Sequence, residues 1–198
     1  MADVVHLIGN GRSASYFDHN SKGTRVTCNL PPYAIQNVYA TCLVDFKMMR
    51  AIHEGSVQVP GEWILGKRPK IYMEQNPSFH MKYAKQIRGF YLNLPGYVAN
   101  YTDFNCGHMA THFSATRFEP KELHMYGFNS VFDFDVSSCT DMYMESDRSA
   151  QNNNRLVNNW RGIWPKMFAE FPNTEFVLYH KHDNIKAVIP ENVRIVVK

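Results

Sequence analysis

Three short stretches of this chain bring together residue types that could hold a phosphate or a sugar. In the first, the apolar run Val4-Val5-His6-Leu7-Ile8 passes straight into Gly9-Asn10-Gly11-Arg12-Ser13. Glycines after a buried strand let a ligand approach the backbone, and the amides of whatever follows can face an anion. The pattern is not the Gly-x-Gly-x-x-Gly dinucleotide fingerprint, because Ala14 and Ser15 follow where the third glycine would be approached. Gly-Asn-Gly also fits a plain left-handed turn. In the second stretch Thr27-Cys28 ends at Asn29-Leu30-Pro31-Pro32, and the next apolar run ends Leu43-Val44-Asp45. Asn29 and Asp45 could read a ribose or a base through hydrogen bonds, or start turns and cap the segments behind them. The third stretch, Asn105-Cys106-Gly107-His108, opens a helical segment whose first amides could meet a phosphate or form a simple helix entry.

Other candidates are weaker. His108 and His112 have the i, i+4 spacing of two metal ligands, but the glutamate of His-Glu-x-x-His and a third ligand are missing, so no metal is assigned. His180 and His182 alternate at a strand end, where solvated polar groups are common. Asp133, Asp135, Asp141, Glu145 and Asp147 make one stretch acidic; such carboxylates serve as a base, bind a divalent cation, or simply face water. Trp160, Trp164, Phe168 and Phe171 follow helical spacing and read as core, not as a base-stacking platform.

These residues need a scaffold that brings them to one place. Apolar runs at Val4–Ile8, Arg25–Cys28, Tyr39–Val44, Glu62–Leu65, Phe90–Leu92, Glu122–Tyr126, Glu175–Tyr179 and Val193–Val197 read as strands. Helical spacing lies between them at Phe46–His53, Ser78–Ile87, Cys106–Phe118 and from about Asn154 to Phe171. Within Cys106–Phe118 the stripe of Met109, Phe113 and Thr116, with Ala110 beside it, predicts the face that packs on the sheet. Pro165 predicts a kink or a division of the last helix. Strands alternating with helices imply parallel pairing, because parallel neighbours need a crossover. The expectation is an α/β, Rossmann-like fold over residues 1–198: one domain, a mostly parallel sheet flanked by helices, and a long loop at about 133–154.

Composition narrows the function. With 198 residues, 44% hydrophobic, 14% aromatic and 20% charged, the chain can bury a sizeable core, which excludes disorder, collagen and coiled coil. The net charge of +3 is spread along the chain instead of forming a basic block, so nucleic acid is not an expected partner. No run approaches the roughly 18 apolar residues of a membrane span, and Val4–Ile8 is too brief for a signal sequence. Cys28, Cys42, Cys106 and Cys139 form no Cys-x-x-Cys pair and read as reduced thiols, giving a cytoplasmic expectation.

Taken together, these motifs resemble the compact bacterial sialyltransferases with a glycosyltransferase-A-like Rossmann fold and, more distantly, archaeal pterin pyrophosphokinases. Ile8-Gly9-Asn10-Gly11-Arg12-Ser13 is similar to the family's Gly-Asn-Gly-Pro-Ser, and Val26-Thr27-Cys28-Asn29 to its strand ending in Cys-Asn. Asn105-Cys106-Gly107, followed by His124-Met125-Tyr126-Gly127-Phe128-Asn129, is similar to its Thr-Ser-Gly helix start and later Gly-Ile-Asp. The resemblance implies that Gly9, Asn10, Gly11, Arg12, Ser13, Asn29, Asp45, Asn105, Cys106 and Gly107 surround the cytidine nucleotide of a CMP-sugar donor. It also implies transfer of the sugar to an acceptor, with no cofactor required. Asp133 or Asp135 would then be the base. Several positions depart from the family. Arg12 stands in place of proline and Asn129 in place of aspartate, and Phe128–Ser138 holds no counterpart of its phosphate-binding tyrosines. No histidine lies between His124 and His180 to match the catalytic one. Two alternatives accompany this reading: a nucleotide-binding module without catalysis, and a magnesium-dependent pyrophosphokinase-like enzyme. The acceptor is not readable from the sequence, and a homo-oligomer stays open.

Overall fold

The computed structural model describes residues 3–132, 150–185 and 188–198, and for residues 150–157 only the helical backbone. Eight strands, β1 (Val4–Ile8), β2 (Thr24–Cys28), β3 (Val38–Leu43), β4 (Glu62–Leu65), β5 (Ile87–Phe90), β6 (Glu122–Tyr126), β7 (Glu175–His180) and β8 (Val193–Val197), form a single sheet. Their order is β5-β4-β3-β2-β1-β6-β7-β8, and all neighbours pair in parallel. The helices are α1 (Phe46–His53), α2 (Lys67–Gln75), α3 (Pro77–Tyr83), α4 (Cys106–Phe118) and α5 (Ala150–Glu170), with short 3-10 helices at Arg12–Tyr16 and Asn129–Val131. This is the doubly wound, Rossmann-like arrangement expected from the alternating pattern. The chain adds strands outward from β1 to β5, then returns to place β6 on the other side of β1.

Alternation along the strands divides the core into layers. Val5 and Leu7 of β1, Val26 of β2, Leu123 and Met125 of β6 and Phe176 and Leu178 of β7 pack against Met109 and Ala110 of α4 and Trp164 and Phe168 of α5. On β3 and β4, Cys42 and Ile64 join this layer, and the residues one step away face the other side. There Leu43, Trp63 and Leu65 meet Met48, Met49 and Ile52 of α1, Met73 of α2 and Phe79 of α3. A smaller group, Ile8, Ala14, Phe17, Ile35 and Tyr126, sits beneath the chain between β1 and β3. Two-sided burial explains why the central strands read as continuous apolar runs.

Several elements differ from the sequence reading. β5 begins at Ile87, so the helix expected through that residue stops at Tyr83 and the strand expected at Phe90–Leu92 comes earlier. α2 was not anticipated: Pro69 near its start and only two buried positions, Pro69 and Met73, leave little periodic signal. α5 starts at Ala150, so the end of the expected 133–154 loop is helical; residues 133–149 lie outside the described residues. The helix also runs through Pro165 as one element instead of two, despite the lost amide donor. Just past its end the side-chain nitrogen of Asn192 lies 3.0 Å from each of the carbonyl oxygens of Phe168, Phe171 and Thr174, which share its two N–H groups and tie the turn after α5 together. On α4, Thr116 is exposed and Phe113 half-buried. The inward positions are Cys106, His108, Met109, Ala110, Thr111, Ser114, Ala115 and Phe118, because α5 packs beside the helix and broadens its buried face.

Candidate functional site

In an open parallel sheet the carboxyl edge at the point where strand order reverses is where ligands bind. Here that point lies between β1 and β6. The loops that follow these strands cross in backbone contact: Gly9 N–H donates to Tyr126 O at 2.7 Å, and Gly11 N–H donates to Gly127 O at 3.1 Å. A Cβ on either Gly9 or Gly11 would stand 2.7 Å from the Gly127 carbonyl oxygen, and Gly127 itself has a φ of +80°. Ser13 completes the crossing, accepting from Gly127 N–H at 3.1 Å and donating to Asn129 Oδ1 at 2.8 Å. The two glycines therefore serve the approach of one loop to another, and their amides are occupied within the protein. Outward from this crossing stand half-buried Asn10 and exposed Arg12.

The remaining sequence candidates gather on the same edge. Asn29, at the end of β2, has a φ of +50° and is 8% exposed, and its Oδ1 has no hydrogen-bond partner among the described residues. Asp45, at the end of β3, occupies the N-cap position of α1 without making a side-chain cap bond; its carboxylate lies 3.6 Å from Arg68 at the start of α2. Lys67 places its ammonium 4.5 Å from the Tyr101 ring centroid.

α4 brings its first turn to this edge through two contacts, and a cap closes its entry. Cys106 Sγ–H donates to Cys42 O, at the end of β3, at 2.8 Å. Gly107 lies so close to the loop after β6 that a Cβ would meet the Phe128 ring at 2.9 Å. Asn105 caps the helix by accepting from His108 N–H at 3.0 Å, while His108 Nδ1 accepts from Asn105 N–H at 3.2 Å. This is a capping box with histidine in the place usually taken by Glu or Gln. Asn105 is thus committed to the helix entry.

Burial decides the charge states. His108 is fully buried, and desolvation holds its imidazole down at about 3, against a partial opposing effect from the Trp160 carbonyl that accepts from Nε2–H at 3.1 Å. With both ring nitrogens engaged, the His108–His112 spacing makes no metal pair; His112 instead contacts Tyr91 and Glu170. No group of His, Cys, Asp or Glu suited to a metal occurs among the described residues. Burial pushes the Cys42 and Cys106 thiols up, and the neighbouring Cys28 adds to this at Cys106, so both stay protonated. Cys28, Cys42 and Cys106 are free and buried.

Two features escaped the sequence reading. Arg161 of α5 is 7% exposed and donates to Phe132 O at 3.4 Å, placing a buried cation beneath the chain after β6. Its signal was an arginine beside Trp160 on an otherwise apolar helix face. The second is the charge of the edge. Arg12, Lys47, Lys67, Arg68 and Lys181 follow the strands there, against Asp45, Asp103 and Asp183 among the described residues. Asp133 and Asp135, expected as bases, lie outside the described residues.

The fold places the chain among α/β proteins of the doubly wound, Rossmann-like type. None of the protein families, curated proteins and solved structures compared with the chain matches it. No helix among the described residues is long and apolar enough to cross a membrane.

Proposed function

We propose that the chain binds the nucleotide of a CMP-type nucleotide sugar at the carboxyl edge of its sheet and transfers the sugar to an acceptor hydroxyl. One observation carries the reading: the ends of β1, β2 and β3 and the first turn of α4 converge, beside the strand-order reversal, on an edge rich in cations. Phosphate would meet Arg12, Lys67 and the α4 entry, and Asn29 would receive a donor from ribose or base. In an inverting transfer a base removes the acceptor proton, the acceptor oxygen attacks the anomeric carbon, and the bond to the nucleotide phosphate breaks with its electrons going to that phosphate. Asp133 or Asp135 is the proposed base, and no cofactor is invoked.

A second reading, a nucleotide-binding module without turnover, is favoured by internal bonds: Ser13 donates to Asn129, Asn105 accepts from His108 N–H, and the Gly9 and Gly11 amides donate to the Tyr126 and Gly127 carbonyls. Such groups stiffen an edge without leaving catalytic donors. Calorimetry with CMP and a CMP-sugar, followed by chromatography for released CMP, separates the two. Binding with release supports transfer, binding alone supports the module, and magnesium-dependent conversion of a nucleoside triphosphate to its monophosphate, abolished by a chelator, redirects the reading to a pyrophosphoryl-transferring enzyme. If neither CMP nor a panel of other nucleotides adds thermal stability, where saturation at a hundredfold excess over Kd is worth about 2.7 kcal/mol, the proposal fails.

A further inference from the structure

The two outer strands of the sheet are built differently. β5 is four residues long, its pairing with β4 shifts register between Trp63 and Ile64, and it carries Gly89 and an exposed Arg88 paired with Glu62. A short strand, an irregular register and a charge are common means by which a sheet edge avoids pairing with another chain. β8 lacks them on its outer side. Its five residues, Val193-Arg194-Ile195-Val196-Val197, keep an unbroken register with β7. Its one charge turns back to β7, where Arg194 Nε donates to Glu175 Oε1 at 2.7 Å. Among the described residues no strand pairs with that outer side, and Val197 is 53% exposed there.

The ladder fixes which backbone groups are open. At one end Phe176 N–H donates to Asn192 O at 2.8 Å, and at the other Lys198 N–H donates to His180 O at 3.0 Å. Alternate residues of a strand turn their backbone groups to the same neighbour, so Asn192, Arg194, Val196 and Lys198 face β7, while Val193, Ile195 and Val197 face outward. Val193 N–H is taken by Pro190 O at 3.2 Å. Ile195 and Val197 hold the outward amide donors that remain open among the described residues.

We infer that two copies of this chain join through β8, antiparallel about a twofold axis at Ile195, so that their sheets become one. In this register Ile195 N–H meets the partner's Ile195 O, and Val197 N–H meets the partner's Val193 O. Each copy gives two such bonds, and every open donor is used. Val193 and Ile195 already pack against the core layer of α4 and α5. Val197 shares their face, so Val193 meets the partner's Val197 and Ile195 meets the partner's Ile195, extending that layer with β-branched pairs. Charge selects the register. An axis one residue earlier would set Arg194 against the partner's Arg194, and one residue later against the partner's Lys198; about Ile195 it faces the partner's Val196. The strand supplies both halves of the match, which singles out a second copy as the occupant. Both edges of the dimer are then β5, where growth stops.

Sedimentation velocity of the full chain over a concentration series, with residue-resolved amide exchange by NMR, tests this. The mass should rise reversibly from one chain to two and no further, because a pair of short strands is a small contact. With that rise the Ile195 and Val197 amides should exchange more slowly by about tenfold, while the Val193 and β5 amides keep their rates. Val197→Pro removes one of the two bonds each copy gives and none to β7, since that amide points away from β7, and should raise the association midpoint at least about tenfold. The mass of a single chain up to about 0.5 mM would overturn the inference. So would larger assemblies, a dimer with unslowed Ile195 and Val197 amides, or one that folded Val197→Pro leaves unchanged. Should the Val197→Pro chain fail to fold, amide exchange in the unmodified chain decides alone.

Discussion

Protonation of His108 should unfasten the entry of α4, and its cost can be worked out from the structure. The imidazole is enclosed by Phe104 and Trp164, with ring centroids at 5.7 and 4.3 Å, and neither nitrogen reaches water. Its folded value of about 3 lies below the ordinary 6.5 of the unfolded chain. The unfolded state therefore binds the proton first, and this contribution to stability is complete above pH 6.5 and is lost as pH falls toward the folded value. At about 1.4 kcal/mol per pH unit, the loss is about 2 kcal/mol by pH 5 and approaches about 5 kcal/mol near pH 3. The comparison is with His108→Gln. Glutamine can reach back to the Asn105 amide as the usual capping-box residue and stays uncharged. The variant should lose about 1–3 kcal/mol near neutral pH, through the missing Trp160 bond and ring packing. Urea unfolding at about pH 7 and about pH 5 should show the variant losing about 2 kcal/mol less than the unmodified chain between the two. Equal losses in both chains would refute the assignment of this proton to His108.

Other perturbations have equally definite outcomes. Gly9→Ala and Gly11→Ala should each destabilise the fold by about 2–4 kcal/mol in denaturant unfolding, because the new Cβ would meet the Gly127 carbonyl oxygen at 2.7 Å. Ser13→Ala removes both of its bonds to the loop after β6 and leaves Gly127 N–H buried, a loss of about 1–3 kcal/mol by the same assay. Asn192→Ala removes the two N–H groups shared by three carbonyl oxygens in and just after the end of α5 and should lower stability by about 1–3 kcal/mol in the same unfolding assay. In the native protein an alkylating reagent should leave Cys28, Cys42 and Cys106 unmodified until the chain unfolds, as mass spectrometry would show.

The strands β1, β4, β6 and β8 and the helices α1 and α4 were legible in the sequence to the residue, because parallel strands buried on both faces leave uninterrupted apolar runs and both helices begin at a clear cap position. The gathering of Gly9, Asn29, Asp45 and Asn105 on one edge followed from parallel order alone. What those residues bond to was not legible. The glycines of the first turn are explained by Gly127, more than a hundred positions away, and Asn105 by a histidine in a role usually taken by an acid or amide. α2 was hidden because its buried surface is small, and Arg161 because a lone cation on an apolar helix reads as an interruption until its surroundings are known.

The pairing of β1 with β6 has a consequence for how the molecule is made. Val4 lies opposite Glu122, so during synthesis the strand at the centre of the sheet waits for more than a hundred further residues before β6 can pair with it. β2 to β5 can assemble on one flank of it from nearby segments, while Val5 and Leu7 await the helices and the partner strand that bury them. Closing so long a loop makes the joining of the two halves a slow, non-local event. Until it happens, a row of unpaired amides and carbonyls is open to another nascent chain, and a fragment ending before Glu122 should associate through that edge, which β6 covers in the whole protein.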